Sequence, residues 1–177
     1  MLPQPHSSRR RLLQQATVAL AMAVALAVAA YFGAMSSNAA PDVAFTSLTG
    51  QKLTLRALRG KVVMVNFWAT SCSFCVHEMP QMAATYNQYK DRGLDVVAVA
   101  MSYDPPNSVL NYAQTRHLPF TVALDLQGEL AHAFGGVDTT PTTIVIGKDG
   151  NIIERFRGEP DFTVLHYILE HALAASA

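Results

Sequence analysis

The run Val62-Val63-Met64-Val65-Asn66-Phe67-Trp68 is almost unbroken in apolar and β-branched side chains, and four residues after it Cys72 and Cys75 open a helical pattern. A strand apolar on both sides must be covered on both sides, which places it at the centre of a layered sheet. Cys72 then falls at the start of the following helix. Free backbone N–H groups and the helix dipole favour a thiolate there, and a thiolate is the nucleophile of disulfide exchange. Cys75 lies one turn further on, within reach of Cys72, and can resolve a mixed disulfide formed by it. Cys-x-x-Cys in a strand–loop–helix setting is a strong redox signal.

Cysteine number narrows the alternatives. The chain of 177 residues holds two cysteines, too few for a disulfide framework of the kind that staples small secreted folds. A bridge closing so short a loop removes little chain entropy, which argues against a purely structural pair. A c-type haem site needs His directly after the second cysteine; Val76 is there, and His77 is one place late. Cys72, Cys75 and His77 lack a further ligand for zinc or copper. A metal-binding chaperone remains the alternative from another class. A peroxiredoxin-like antioxidant is the enzymatic rival, although Phe67, Ala69 and Thr70 stand in the wrong order around Cys72 for its motif. No cofactor is implied by the residues.

The remaining pattern alternates strand and helix. Phe45–Leu48 and Lys52–Leu55 flank Thr49-Gly50 as a small hairpin. The helix after Cys72 runs to about Lys90, with Pro80 kinking it and Gly93 ending it. Leu94–Met101 and Phe120–Leu124 read as strands, with a helix between them capped by Ser108 and running through His117. Glu129–Phe134 is a short helix stopped by Gly135-Gly136. Thr142–Ile146 and Ile152–Phe156 form a hairpin, and Asp161 caps a last helix to about Ala174. The predicted fold is an α/β layered sheet with an antiparallel edge.

The N-terminal part differs. Hydrophobic residues make up 50% of the chain and charged residues 15%, an imbalance owed partly to an uncharged stretch from Leu12 to Pro41. Ala16–Met35 is long enough for a helix to cross a bilayer core. Arg9, Arg10 and Arg11 precede it and no basic residue closely follows, which puts residues 1–15 in the cytoplasm and the rest outside. Tyr31 and Phe32 then lie towards the outer interface. A cleaved signal peptide is the rival, with Ser37-Asn38-Ala39 before Ala40 as a cut site. Ser8-Arg9-Arg10-Arg11-Leu12-Leu13 also resembles, weakly, a twin-arginine export signal. The expected organisation is a cytoplasmic N-terminus over 1–15, a single transmembrane anchor over 16–35 in the inner membrane, a tether over 36–42 and a catalytic domain over 43–177 on the periplasmic side. Of thirteen basic residues, three precede the apolar run, leaving ten against thirteen acids and a net charge of −3 from Pro41 onward. No basic face for nucleic acid follows from that balance.

A second motif completes the site. In Val137-Asp138-Thr139-Thr140-Pro141-Thr142-Thr143 a proline opens a strand after a turn and is a candidate cis bond. Alone it reads as a loop proline; together with the cysteine pair it reads as part of the redox site. The elements Val-Asn-Phe-Trp-Ala-Thr-x-Cys-x-x-Cys, then Glu78-Met79-Pro80, an αβ insertion and Thr-Pro-Thr-Thr resemble the TlpA/ResA family of extracytoplasmic thioredoxin-like reductases, over roughly Ala40 to Ala172. The resemblance implies a thioredoxin-like fold with an N-terminal β-hairpin and a central αβ insertion, preceded by one transmembrane helix. It implies reduction of disulfides in partner proteins, such as apocytochrome c or an oxidase copper-site protein, with electrons from a membrane thiol donor. It further implies Cys72 as nucleophile, Cys75 as resolving thiol, Thr140 and Pro141 as substrate platform, and Trp68 as an aromatic wall beside the pair. Ser71 and Phe74 depart from the bulky residue and the proline usual in the family, and Ser73 stands where some members have Glu. Asn66 replaces the buried Asp of thioredoxin and cannot accept a proton. The acceptor for Cys75 is therefore open: Asp138 is a candidate, although a plain turn role suits it better, and Glu78 reads as a helix-surface residue.

Overall fold

All seven residues of β3 (Val62–Trp68) are buried, and the rest of the domain is arranged around them. The computed structural model describes residue 15, residues 18–28 and residues 38–175. In chain order the elements are β1 (Ala44–Thr46), β2 (Lys52–Thr54), β3, α1 (Ser73–Tyr89), β4 (Leu94–Ala100), α2 (Pro106–Thr115), β5 (Thr121–Leu124), α3 (Glu129–Ala133), β6 (Thr142–Ile146), β7 (Ile152–Arg157) and α4 (Phe162–Ala174). The main sheet has the order β5-β4-β3-β6-β7. β3, β4 and β5 are parallel, whereas β6 and β7 run antiparallel to their neighbours. This is the thioredoxin-like α/β arrangement expected, with the hairpin β1–β2 in front of it.

The two-residue period of β3 sorts the core. Val62, Met64 and Trp68 pack with Cys75, Met79 and Leu165, and so with α1 and α4. Val63, Val65 and Phe67 pack with Phe45 from the hairpin and with Leu130 and Phe134 around α3. The hairpin is joined to the β5 edge by a Ser47–Ala123 bridge and by Leu48 N–H donating to Val122 O at 3.0 Å.

Several boundaries differ from expectation for local reasons. α2 begins at Pro106 with Pro105 as N-cap, so Ser108 lies inside the first turn and does not cap it. A proline at the first helical position loses no hydrogen bond, because that N–H would be unpaired anyway. Pro80 is accommodated inside α1, where it removes the backbone donor that Val76 O would otherwise receive. Part of the expected tether belongs to the folded unit, which begins at Asn38. Ala39 bridges Asn151, Ala40 N–H donates to Gly150 O at 3.0 Å, and Asn38 O accepts from Ile152 N–H at 2.7 Å. Residues 18–28 are helical and exposed throughout, and no described helix is long and apolar enough to cross a membrane. The expected span 16–35 and the stretch before it otherwise lie outside the described residues.

The α3 corner hangs on one buried carboxylate. Asp125 Oδ1 accepts from Leu130 N–H at 3.0 Å and its Oδ2 from Ala131 N–H at 2.8 Å. Truncation would leave two buried N–H groups unpaired, each a real penalty. Asp125→Ala is expected to destabilise the domain by about 2–3 kcal/mol, read as a lowered urea midpoint with an unchanged slope.

Candidate active site

Cys72 is the N-cap of α1, and its Sγ accepts from Cys75 N–H at 3.2 Å. Cys72 is half-buried and Cys75 is fully buried. The two are joined as a disulfide with a Cα–Cα separation of 5.2 Å. One sulfur is thus open to a partner and the other is shielded by the helix that carries it. The helix forms here because an extended Cys72 backbone turns into α1 just where β3 runs out.

Thr140 and Pro141 stand beside this pair. The Thr140–Pro141 peptide is cis, and Cys72 Sγ lies 3.6 Å from Thr140 O. The Thr140 N–H has no backbone or side-chain partner among the described residues. Pro141 O accepts from Gly158 N–H at 2.8 Å, which ties the proline to the end of β7. The loop before Cys72 is fixed from elsewhere. Asp104, buried, accepts from Thr70 N–H and from Thr70 Oγ1–H, each at 2.6 Å. Two short bonds to one carboxylate are a strong local clamp. Sequence reading did not mark Asp104, because its partner lies 34 residues away in a turn.

Glu78 is not a helix-surface residue. It is 0% exposed, in contact with Asn66, whose Nδ2–H donates to Glu78 Oε1 at 2.9 Å and to Thr143 Oγ1 at 3.0 Å. Asn66 lies on the β3 face that meets α1, since it keeps the parity of Met64 and Trp68, and Thr143 is its register partner on β6. Glu78 Oε2 and Asn66 Oδ1 are buried without a hydrogen-bond partner among the described residues. Desolvation therefore raises the Glu78 carboxyl from 4.5 to about 7; the Asn66 hydrogen bond opposes this and the nearby Glu159 charge adds to it. Cys75 and Glu78 are three apart on one helix, hence neighbours on one face. A signal existed in the sequence: an Asn inside an otherwise apolar strand needs a buried polar partner.

The other expected residues sort as follows. Trp68 is wholly buried and packs on Tyr112 with ring centroids 5.2 Å apart, in the same cluster as Cys75. The aromatic expected as a wall beside the pair thus lies in the core, behind the buried cysteine. Asp138 has a side chain 74% exposed and pairs with Arg157 at 3.3 Å and with the Thr139 hydroxyl at 3.2 Å. It stands on the surface, whereas Glu78 is the buried carboxyl on the helix that carries Cys75. His77 Nδ1, considered as a metal donor, lies 3.1 Å from Glu159 Oε1.

Comparison with known proteins agrees with this geometry. The Redoxin family model matches residues 35–169. A Bacillus cereus protein named thiol-disulfide oxidoreductase ResA is 34% identical, over 85% of this chain and 90% of that protein. A protein of the same name from Geobacillus kaustophilus is 36% identical, over 68% of each. The crystal structure of a thiol:disulfide interchange protein of the thioredoxin family from Chlorobium tepidum superposes with a TM-score of 0.71 at 29% identity, covering 78% of this chain and 97% of that one. A buried strand, a helix-capping cysteine and a cis proline across from it thus sit in a chain whose sequence matches over most of its length, and the chain belongs to the Redoxin family.

Proposed function

We propose that this thiol–disulfide oxidoreductase passes electron pairs from a membrane thiol donor to disulfides in extracytoplasmic proteins, with apocytochrome c or an oxidase copper-site protein as clients. The observation that carries the reading is the asymmetry of the pair. Cys72 is the helix-capping, accessible sulfur beside Thr140, and Cys75 is buried behind it.

The chemistry follows from that asymmetry. In the reduced protein the Cys72 thiolate attacks one sulfur of a client disulfide. A Cys72–client bond forms, the client S–S bond breaks, and the other client sulfur leaves as a thiolate that takes a proton from water. Cys75 then gives its proton to Glu78 and attacks Cys72 Sγ. A Cys72–Cys75 bond forms, the mixed disulfide breaks, the second client sulfur leaves as a thiolate that takes a proton from water, and Glu78 returns its proton to solvent. The client gains two electrons and the protein is left with the Cys72–Cys75 disulfide, the state seen here. A donor dithiol reverses these steps on the protein and is itself oxidised. A carboxyl near pH 7 suits proton exchange with a thiol, because neither partner holds the proton too firmly. Thr140 supplies backbone N–H and C=O groups to an extended client.

Three measurements check this reading. Cys75→Ser should trap covalent Cys72–client adducts that reductant releases, whereas Cys72→Ser should trap none. Iodoacetamide should modify Cys72 before Cys75 in the reduced wild type; the opposite order would reverse the roles.

The Glu78 assignment predicts a pH-dependent stability. Its folded pKa is raised, so the native state binds the proton more tightly than the unfolded chain does. That contribution is fully present below about pH 4.5 and is lost as pH rises through about 7. The loss is on the order of 3 kcal/mol. Glu78→Gln should flatten the stability profile of the oxidised protein between these limits, and should slow release of the trapped client in the single-turnover reaction.

The anchor reading rests on the uncharged run Ala16–Met35 behind three arginines. The intact protein should stay with the membrane through a carbonate wash, and protease added outside the inner membrane should digest the domain. A soluble product beginning at Ala40 would replace the anchor with a cleaved signal.

A further inference from the structure

The loop between β4 and α2 reaches both sides of the reactive sulfur. Asp104 holds Thr70 on the cysteine side. Its neighbour Tyr103 reaches the proline side, where its hydroxyl lies 3.2 Å from Thr140 Oγ1. The two differ in environment: Asp104 is buried, whereas Tyr103 is 59% exposed. Tyr103 thus has its polar tip bonded at the site while its ring stands in water. No aromatic or cationic group among the described residues stacks on that ring. Tyr167, 66% exposed, instead packs on His171 with ring centroids 4.4 Å apart.

A tyrosine held this way is suited to binding. Its hydroxyl needs no new partner, few torsions remain to be fixed, and its ring offers a large apolar face. Its position sets what would cover it. Thr140 O lies 3.6 Å from Cys72 Sγ, and the Thr140 N–H has no protein partner among the described residues. An extended client aligned on Thr140 therefore passes the ring that is bonded to the same residue. One residue of extended chain advances about 3.3 Å, so the ring reaches side chains within two positions of the client cysteine. Phe74, 65% exposed in the first turn of α1, adds a second apolar surface next to the pair.

We propose that Tyr103 is a specificity-determining residue whose ring receives an apolar side chain lying within two residues of the client cysteine that bonds to Cys72. The proposal rests on the disulfide-exchange reading above and names the client feature it selects.

The test uses the full chain in detergent, reduced and freed of reductant. Two disulfide-bonded peptides serve as clients, one with Phe and Leu beside the target cysteine and one with Ser and Gly there. A small aromatic disulfide, dithiobis(nitrobenzoate), serves as reference. In a single turnover, the reduced wild type should react with the apolar peptide with a second-order rate constant roughly tenfold above that for the polar one, the size of one aromatic contact. Y103A should bring the two single-turnover rate constants within about twofold of each other, chiefly through a higher half-saturating concentration of the apolar peptide, while Y103F keeps the preference. Y103Q replaces Y103A should the latter misfold. Equal peptide rates in the wild type, or an undiminished preference in Y103A, overturn the proposal. So does a loss in Y103F as large as that in Y103A, since the hydroxyl alone would then account for it. Failure of the wild type to reduce either peptide or the small disulfide would overturn the exchange reading itself, which the reference reaction makes recognisable.

Discussion

Burial of β3 on both faces is the constraint on which the rest depends. Seven consecutive residues withdraw from water, so two layers must cover them, and the sequence supplies them as α1 with α4 on one side and the hairpin with α3 on the other. The strand is also the rail that delivers the chemistry. Its last residue is Trp68 in the core, and within four residues the chain has turned to make Cys72 the cap of α1. Because strand and helix are both fixed by apolar packing, the accessible sulfur is placed by the core and not by a mobile loop. Antiparallel pairing with β6 brings Thr140 and Pro141 to the same end of the sheet. The accessible sulfur and the cis-proline backbone beside it are thus both set by the register of one strand.

The same strand carries a polar side chain, Asn66, that its burial makes costly. Asn66 can be kept at the centre of the sheet because Glu78 and Thr143 accept its amide hydrogens. The arrangement leaves two oxygens unpaired in a place where water is excluded. An apolar residue at 66 with a neutral one at 78 would fold as well or better, by the general rule that buried charge is a net cost. The cost falls on stability at neutral pH, and the result is a carboxyl raised to about 7 and three residues from Cys75 on the same helix.

How much of this was legible in the sequence depends on the range of the interactions. Periodicity located β3, α1, β4 and the β6–β7 hairpin, because apolar patterning and turn residues act locally. The cysteine pair and Pro141 were legible because their chemistry is tied to their places beside a strand. The miss at Glu78 came from reading a charged residue on a helix as solvated, when the Asn in the facing strand already required a buried partner. Trp68 followed the parity of its strand into the core. The start of α2 was misplaced because Ser108 was weighed as a cap while Pro106 satisfied the first turn without one. Asp104 and Tyr103 act across loops 34 and 37 residues apart in sequence, and no local pattern encodes such contacts.

The treatment of the sheet edges has a consequence for a protein that exchanges disulfides with other chains. An open strand edge is a template on which any extended polypeptide can pair, and so a route to aggregation. Here the β5 edge is engaged by the hairpin through Leu48 and Ser47. The start of β7 is covered by Asn38–Ala40, and its remaining length carries Glu154, Arg155 and Arg157. A client strand drawn to these edges meets occupied hydrogen-bonding groups or charge. At Thr140 it meets a free N–H next to a reactive sulfur. With the flanks guarded in this way, the Thr140 backbone beside Cys72 is left open for pairing, and in the proposed exchange that is where pairing leads to transfer of a bond.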